Sequence, residues 1–277
     1  MDSDLMTGAL AVRAGALELS FLPSPGGRLW AVRVDGIDLL WRDERAWQAP
    51  EGAWTNAGGS KAWPAPQDSW GGPPGPIDGS PFRASVARIG DVQRVTLIAA
   101  PDDATGLQVE RRFDVPDDGR GFRQRTEFRN AGPRPVTWAI WEVCQVPAEP
   151  GCTVLVAADA RPPVELGGEV RATHSEGSWR VRLHGADGKV GFPHATGRAG
   201  YRLASGAGFD WAFDPEPGLP HPDADSRVAV YARRGASFAP GAPGSAYGEL
   251  EVMGALTTLA PGASTAQRID WTVVPAP

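Results

Sequence analysis

The sequence predicts an all-β fold, a large antiparallel sandwich of two sheets, and three observations carry the prediction. Apolar and polar residues alternate in short runs from one end of the chain to the other, which is the period of a half-buried strand. The i, i+3, i+4 spacing of an amphipathic helix is nearly absent. The 35 glycines and 27 prolines are scattered at intervals that suit turns between strands and are not gathered into a linker.

The first alternating runs cover 10–13, 17–22 and 29–34. The last of them ends in Asp35-Gly36, the dipeptide of a two-residue hairpin, and 37–41 returns. Runs at 82–89, 92–99, 108–115 and 121–130 follow, with Pro116-Asp117-Asp118-Gly119 as the turn between the last two. The second half continues with 136–146, 153–157, 169–173, 178–183, 190–192, 200–205, 208–213, 227–232, 246–253 and 265–274. So many strands overfill one small barrel, and no repeat of fixed period marks a propeller, which leaves two large sheets packed face to face. Length allows one large β domain or two smaller ones, and with no linker in evidence residues 1–277 are read as one domain.

A net charge of −6 and the lack of any basic run argue against nucleic acid as a partner. The N-terminal residues 1–7 have neither a basic stretch nor an apolar one, and nowhere do roughly 20 apolar residues follow one another, so no membrane span is expected. The expectation is a cytoplasmic monomer or homodimer. Cys144 and Cys152 make neither a disulfide framework nor a metal spacing, and Cys144 reads as a buried small hydrophobe. His174, His184, His194 and His221 are isolated from one another, so neither a metal nor another cofactor is implied.

The stretch 46–80 is long and irregular, and loops of that length are usually functional or disordered. Five of the eleven tryptophans fall between Trp41 and Trp70, among prolines and glycines that fix an irregular backbone. Sugars need such a mixture: C–H faces stack on indoles, and hydroxyls need partners once water is displaced. Trp63 and Trp70 are the candidate stacking residues, with Asn56, Gln67 and Asp78 as hydroxyl partners. The plainer alternative is that these indoles are core residues or plug one end of the sandwich. Trp30 and Trp138, inside regular strands, are expected in the core. Residues 214–226, with four prolines, form a second candidate rim loop.

The run Gly26-Gly27-Arg28 through Trp41 resembles the opening hairpin of the galactose mutarotase-like superfamily. Gly58-Gly59-Ser60-Lys61-Ala62-Trp63-Pro64-Ala65-Pro66-Gln67, with Trp70 and Asp78 beyond, resembles more closely a branch of that superfamily known as a domain of unknown function, DUF4380. Segments around Trp138 to Gln145, at Lys189, and from Tyr247 to Gly262 are similar to the same branch, so the resemblance spans nearly the whole chain. It implies a β-supersandwich and a small-molecule sugar or oligosaccharide as ligand. It also implies a chemistry, because aldose mutarotases use a late-strand glutamate as base on the anomeric hydroxyl and a mid-chain histidine as acid on the ring oxygen. Here the late strand offers Glu249 and Glu251, while Trp141, Glu142 and Gln145 stand where the histidine is expected.

Glu249 and Glu251 are two apart on a strand and share a face. If that face lines a cleft, the pair can share a proton and keep an acid and a base at neutral pH; if it faces water, both are ordinary solvated carboxylates. Glu142 lies in an apolar strand, where an acid requires a partner, and Lys61 and Lys189, the two lysines of the chain, are the candidates. Either ammonium can bind sugar hydroxyls, a carboxylate or a phosphate, and the alternative for each is a surface lysine. The candidate catalytic residues are thus Glu249, Glu251 and Glu142, and the candidate binding residues Asn56, Lys61, Trp63, Gln67, Trp70, Asp78, Gln145 and Lys189. The expected function is mutarotase- or epimerase-like acid–base chemistry at a sugar's anomeric centre. The alternatives are a non-catalytic carbohydrate-binding protein and a lyase- or glycosidase-associated domain.

Overall fold

The computed structural model describes residues 8–43, 56–70, 76–235 and 245–277. The N-terminal 1–7, and with them Trp47, Trp54 and the 71–75 part of the irregular stretch, lie outside the described residues. In chain order the first strands are β1 (Leu10–Ala14), β2 (Leu17–Leu22), β3 (Arg28–Val34), β4 (Ile37–Asp38), β5 (Ser60–Ala65), β6 (Arg83–Ile89) and β7 (Val92–Ile98). Longer strands follow as β8 (Leu107–Pro116), β9 (Gly121–Asn130) and β10 (Val136–Pro147), then β11 (Thr153–Ala158), β12 (Val164–Gly168), β13 (Ala172–Ser175), β14 (Ser178–Arg182) and β15 (Gly188–Phe192). The chain closes with β16 (Ala195–Arg202), β17 (Gly208–Phe213), β18 (Val228–Arg233), β19 (Tyr247–Met253), β20 (Thr257–Leu259) and β21 (Ser264–Val274). Among the described residues helix is confined to short turns such as α1 (Pro76–Gly79) and α2 (Pro222–Asp225).

The strands form two large antiparallel sheets. One runs β1-β2-β3-β5-β10-β19-β18-β15-β12, with β4 added to β3 and β20 to β10. The other runs β13-β14-β11-β16-β17-β21-β9-β8-β7-β6. The expected large two-sheet sandwich is therefore present. Alternation fixes which side of each strand is buried: β8 hides Leu107, Val109, Arg111, Phe113 and Val115 and turns the alternate residues outward. The apolar ones meet Leu19, Phe21 and Leu29 from the facing sheet in one continuous core. At the tip of the β3–β4 hairpin, Asp35 and Gly36 both have positive φ, 51° and 79°, as a two-residue turn of this kind requires.

In the middle of the first sheet the alternation disappears. All six residues of β5, all seven of β19, and β10 from Trp138 onward are buried, because both faces of these strands are covered. One face packs on the second sheet; the other carries a separate apolar cluster of Trp63, Trp141, Val143, Ala229 and Met253. That outer cluster is the floor on which the site is built.

Three sequence expectations are corrected. The stretch 46–80 is not all loop: β5 lies inside it, between β3 and β10. Pro64 is accommodated because β3 pairs with β5 only at Leu29–Ser60, leaving β10 as the one ladder neighbour further along. The expected strand 37–41 forms a ladder only at Ile37–Asp38. Of the expected strand 169–173 only 172–173 is strand, the start of β13; 169–171 is the corner at which the chain passes from β12, an edge of the first sheet, to β13, an edge of the second. Its apolar signal comes from Val170, which drops into the core at that crossing.

Candidate functional site

Strand register decides which side chains share the outer face of the first sheet, since paired residues point the same way. Trp63 of β5 pairs with Trp141 of β10, which pairs with Met253 of β19. One row along, Lys61 lies opposite Val143, and Val143 opposite Glu251. The next row runs Gln145, Glu249, Tyr231, Lys189 across four strands, and the last holds Tyr247 and Arg233. Together these rows underlie a cleft of about 610 Å³, within the size range of small-molecule sites.

One wall is indole. Trp63 meets Trp70 edge-on with ring centroids 5.5 Å apart, and meets Trp141 at 5.3 Å. Each N–H is anchored, which fixes the ring faces: Trp63 Nε1 donates to Asp78 Oδ1 (2.9 Å), Trp70 Nε1 to the Pro64 carbonyl (2.7 Å) and Trp141 Nε1 to Glu251 Oε2 (2.8 Å). The Gly58-Gly59 pair makes this wall possible, because the chain enters β5 by passing against the backbone of its neighbours. A Cβ on Gly58 (φ 94°) would lie 2.4 Å from the Trp41 carbonyl oxygen, and one on Gly59 2.7 Å from that of Leu29.

The floor is charged. Lys189 Nζ lies 2.8 Å from Glu251 Oε2, 2.6 Å from Asp223 Oδ2 and 4.7 Å over the Trp141 ring. Burial opposes its charge, but the two carboxylates outweigh burial and raise its pKa. Burial pushes the Glu251 carboxyl up to about 7, against the pull of Lys189 and with Glu249 adding to the rise. Its second oxygen, Oε1, is buried and has no hydrogen-bond partner among the described residues. Glu249, 9% exposed, opens to the cleft, with Oε1 accepting from Gln145 Nε2 at 2.7 Å. The same Gln145 nitrogen reaches Asn56 Oδ1 at 2.7 Å. The opposite wall is Tyr231 and Tyr247, backed by Trp41 with its ring 4.7 Å from that of Tyr247. Burial raises the pKa of both phenols, so they are hydroxyl donors at neutral pH.

Asn56, Trp63, Gln67, Trp70, Lys189, Glu249 and Glu251, named from the sequence, all line this one cleft. Gln145 and Asp78 stand behind it: Gln145 holds Glu249, and Asp78 is tied to the Trp63 indole and to Arg28 (2.7 Å). Lys61 is also behind the wall, fully buried, its Nζ 4.0 Å over the Trp63 ring and without a hydrogen-bond partner among the described residues; burial brings its pKa down to about 8. Glu142 is the correction. It has the opposite parity on β10, points between the sheets, and is paired with Arg111 (3.2 Å) in place of either lysine, so its carboxylate does not reach the cleft. Trp41 and Trp63 thus serve the cleft while being buried, and Trp138 fills the core as expected.

Tyr231, Arg233, Tyr247 and Leu166 line the cleft and were not singled out in sequence, and Trp141, noted only as standing where the histidine is expected, lines it too. Tyr231 and Arg233 are reachable only through the pairing of β18 with β19. Asp223 comes from the proline-bearing 214–226 segment, the expected rim loop, which brings that carboxylate onto Lys189. Asp223, Ala224 and Asp225 are three successive non-glycine residues in the left-handed region, with φ of 51°, 56° and 64°, an arrangement that costs energy and tends to occur where geometry serves a site.

No family model matches the chain, and no curated protein does. Solved structures do. A TPR-domain containing protein from Parabacteroides distasonis superposes with a TM-score of 0.72 at 15% identity, over 97% of this chain and 47% of that one, so the chain spans about half its length. A putative aldose 1-epimerase from Escherichia coli K12 gives 0.59 at 15% identity, over 96% of this chain and 98% of that one. Galactose 1-epimerase from Lactobacillus acidophilus NCFM gives 0.61 at 12% identity, over 97% and 95%. At these identities the likeness is one of fold, and the fold of this chain is the galactose mutarotase-like β-sandwich.

Proposed function

We propose that the cleft binds a sugar and carries out acid–base chemistry at its anomeric centre. The observation that carries the reading is the pair Glu249 and Glu251, side by side on one strand beneath a wall of three indoles and set in different surroundings. Glu249, open to the cleft, removes the proton from the anomeric hydroxyl. Glu251, which lines the cleft and is held at Oε2 by Lys189 and Trp141, gives the proton to the ring oxygen. The C1–O5 bond breaks as the C1 carbonyl forms; after rotation about C1–C2 the two transfers run in reverse and close either anomer. Trp63 and Trp70 stack on the C–H face, while Asn56 and Gln67 bind hydroxyls. Residues 1–277 are taken as one domain of the DUF4380 branch, on the strength of the motif from Gly58 to Gln67.

A second reading, a non-catalytic sugar-binding protein, draws on the double hold of Lys189 and Trp141 on Glu251, which favours carboxylate over acid. The rate of α/β interconversion, followed by NMR magnetisation exchange over a panel of aldoses, separates the two. Acceleration that falls by roughly 10²-fold or more in Glu249→Gln supports the enzyme. Broadening of one sugar's resonances with no acceleration supports the binder. If Glu249→Gln and Glu251→Gln both leave binding and exchange as they were, the site is elsewhere.

A further inference from the structure

Lys189 sits between two carboxylates that come from different parts of the chain. Glu251 Oε2, on the floor strand β19, is 2.8 Å from its Nζ, and Asp223 Oδ2, on the rim turn α2, is 2.6 Å away. Asp223 does not line the cleft, so its reach to the chemistry is through the ammonium. The turn that carries it is held at several points. His221 N donates to Asp225 Oδ1 (2.9 Å), Ser226 N to the Pro222 carbonyl (3.0 Å), Ser226 Oγ to the Asp223 carbonyl (2.6 Å) and Leu256 N to the Pro220 carbonyl (2.8 Å). Ser226 is fully buried against β15, where a Cβ on Gly191 would lie 2.1 Å from its Oγ. Three successive residues in the left-handed region are thus kept in place, and the carboxylate they present is the one on Lys189.

A lysine shared in this way gives neither carboxylate a whole positive charge. The charged groups facing Glu251 are Lys189 on β15, Asp223 on α2, Lys61 on β5 and Glu249 on its own strand. From the two strands paired with β19 it meets Val143 of β10 and Ala229 of β18, with the Trp141 N–H on Oε2. We propose that Asp223 is a positioning residue for the acid: by holding one side of the Lys189 ammonium it keeps that charge from being committed to Glu251 and leaves Glu251 free to carry the proton. The proposal rests on the acid role given to Glu251 in the sugar reading and adds the residue that sets it. It gives the strained rim turn a task, and it explains how a glutamate in contact with a lysine serves as an acid. Burial is the largest influence favouring the protonated carboxyl; Lys189 works against it, and Glu249 and Asp223 work with it.

Asparagine tolerates the left-handed backbone, so Asp223→Asn removes the charge and keeps the turn. NMR titration of isotope-labelled glutamate carboxyls in the whole protein, with the Glu251 signal assigned by its loss in Glu251→Gln, reads the effect without a substrate. Removing Asp223 withdraws a negative charge and commits Lys189 to Glu251, and both changes favour the ionised carboxyl. The Glu251 midpoint should therefore fall from about 7, by about one unit or more in Asp223→Asn, and recover in part in Asp223→Glu. In a Lys189→Met background the same substitution should move the midpoint far less, because the lysine is the route. A midpoint that stays in place in Asp223→Asn, or a shift of the same size without Lys189, overturns the proposal. The alkaline limb of anomer exchange tests the reading beneath it. A limb that follows the midpoint to lower pH supports both; if the midpoint moves but no sugar's anomers exchange faster with the protein, the sharing of Lys189 stands and the acid role of Glu251 falls.

Discussion

Glu249 and Glu251 are chemically identical and two positions apart, and what distinguishes them is their neighbours. Glu251 is buried beside a lysine and an indole N–H, and burial holds its pKa at about 7. As the acid, it acts in its protonated form. Proton delivery should therefore be undiminished below about pH 7 and fall as pH rises above it, which gives the rate an alkaline limb. Lys189 pulls that pKa down, so Lys189→Met should move the limb to higher pH, by about one unit or more. The pH dependence of anomer exchange in the two proteins measures this; a limb that stays in place means that a group other than Glu251 sets it. At this scale the sequence was informative where a rule of period two applied. The shared face of the two glutamates follows from their spacing alone, and so does the separation of Trp63 from Ala62. Tyr231 and Arg233 were invisible, because they join the site through cross-strand register with β19, and register is a property of pairing, not of a single strand.

The same reasoning explains which elements were legible. Strands with one face in the core and one in solvent, such as β8 and β9, show clean alternation and were found within a residue or two of their ends. β5 has both faces covered and carries Pro64, so it shows neither alternation nor a typical strand composition, and it reads as loop. What marks it instead is the glycine pair at its entrance. Gly58 has a φ of 94°, and a side chain there would collide with the backbone at Trp41 and Arg42, neither of which can swing aside as a flexible side chain would. Gly58→Ala should therefore destabilise the protein by about 2 kcal/mol or more, with β5 displaced from β10 and the Trp63 wall disturbed. Urea unfolding checks the first expectation and the near-ultraviolet circular dichroism of the indoles the second. A variant as stable as its parent would mean that the strand entry relaxes at little cost.

Across the whole molecule, the cleft and the core are two sides of the same central strands, and assigning β10's residues to one or the other is where sequence reasoning failed. With both faces apolar, nothing in the run from Val136 to Val146 says whether Glu142 or Gln145 faces outward, and a carboxylate in such a strand invites a functional reading. The sandwich decides it. Arg111 rises from β8 in the opposite sheet, donates to the Gly27 and Ser60 carbonyls, and meets Glu142 between the layers. Both residues are about 1% exposed, so the pair fastens one sheet to the other within the core. Burial raises the pKa of Glu142 and lowers that of Arg111, and each offsets the other's loss of water. Removing one partner alone leaves a buried charge unmatched, so Glu142→Leu or Arg111→Met alone should cost about 3–5 kcal/mol, whereas the two replacements together should cost less than either single change. Chemical denaturation of the four proteins closes this cycle. Anomer exchange per folded molecule separates the structural role from a catalytic one: in Glu142→Gln it should match the parent with an unmoved pH profile, and a profile that shifts would return Glu142 to the chemistry.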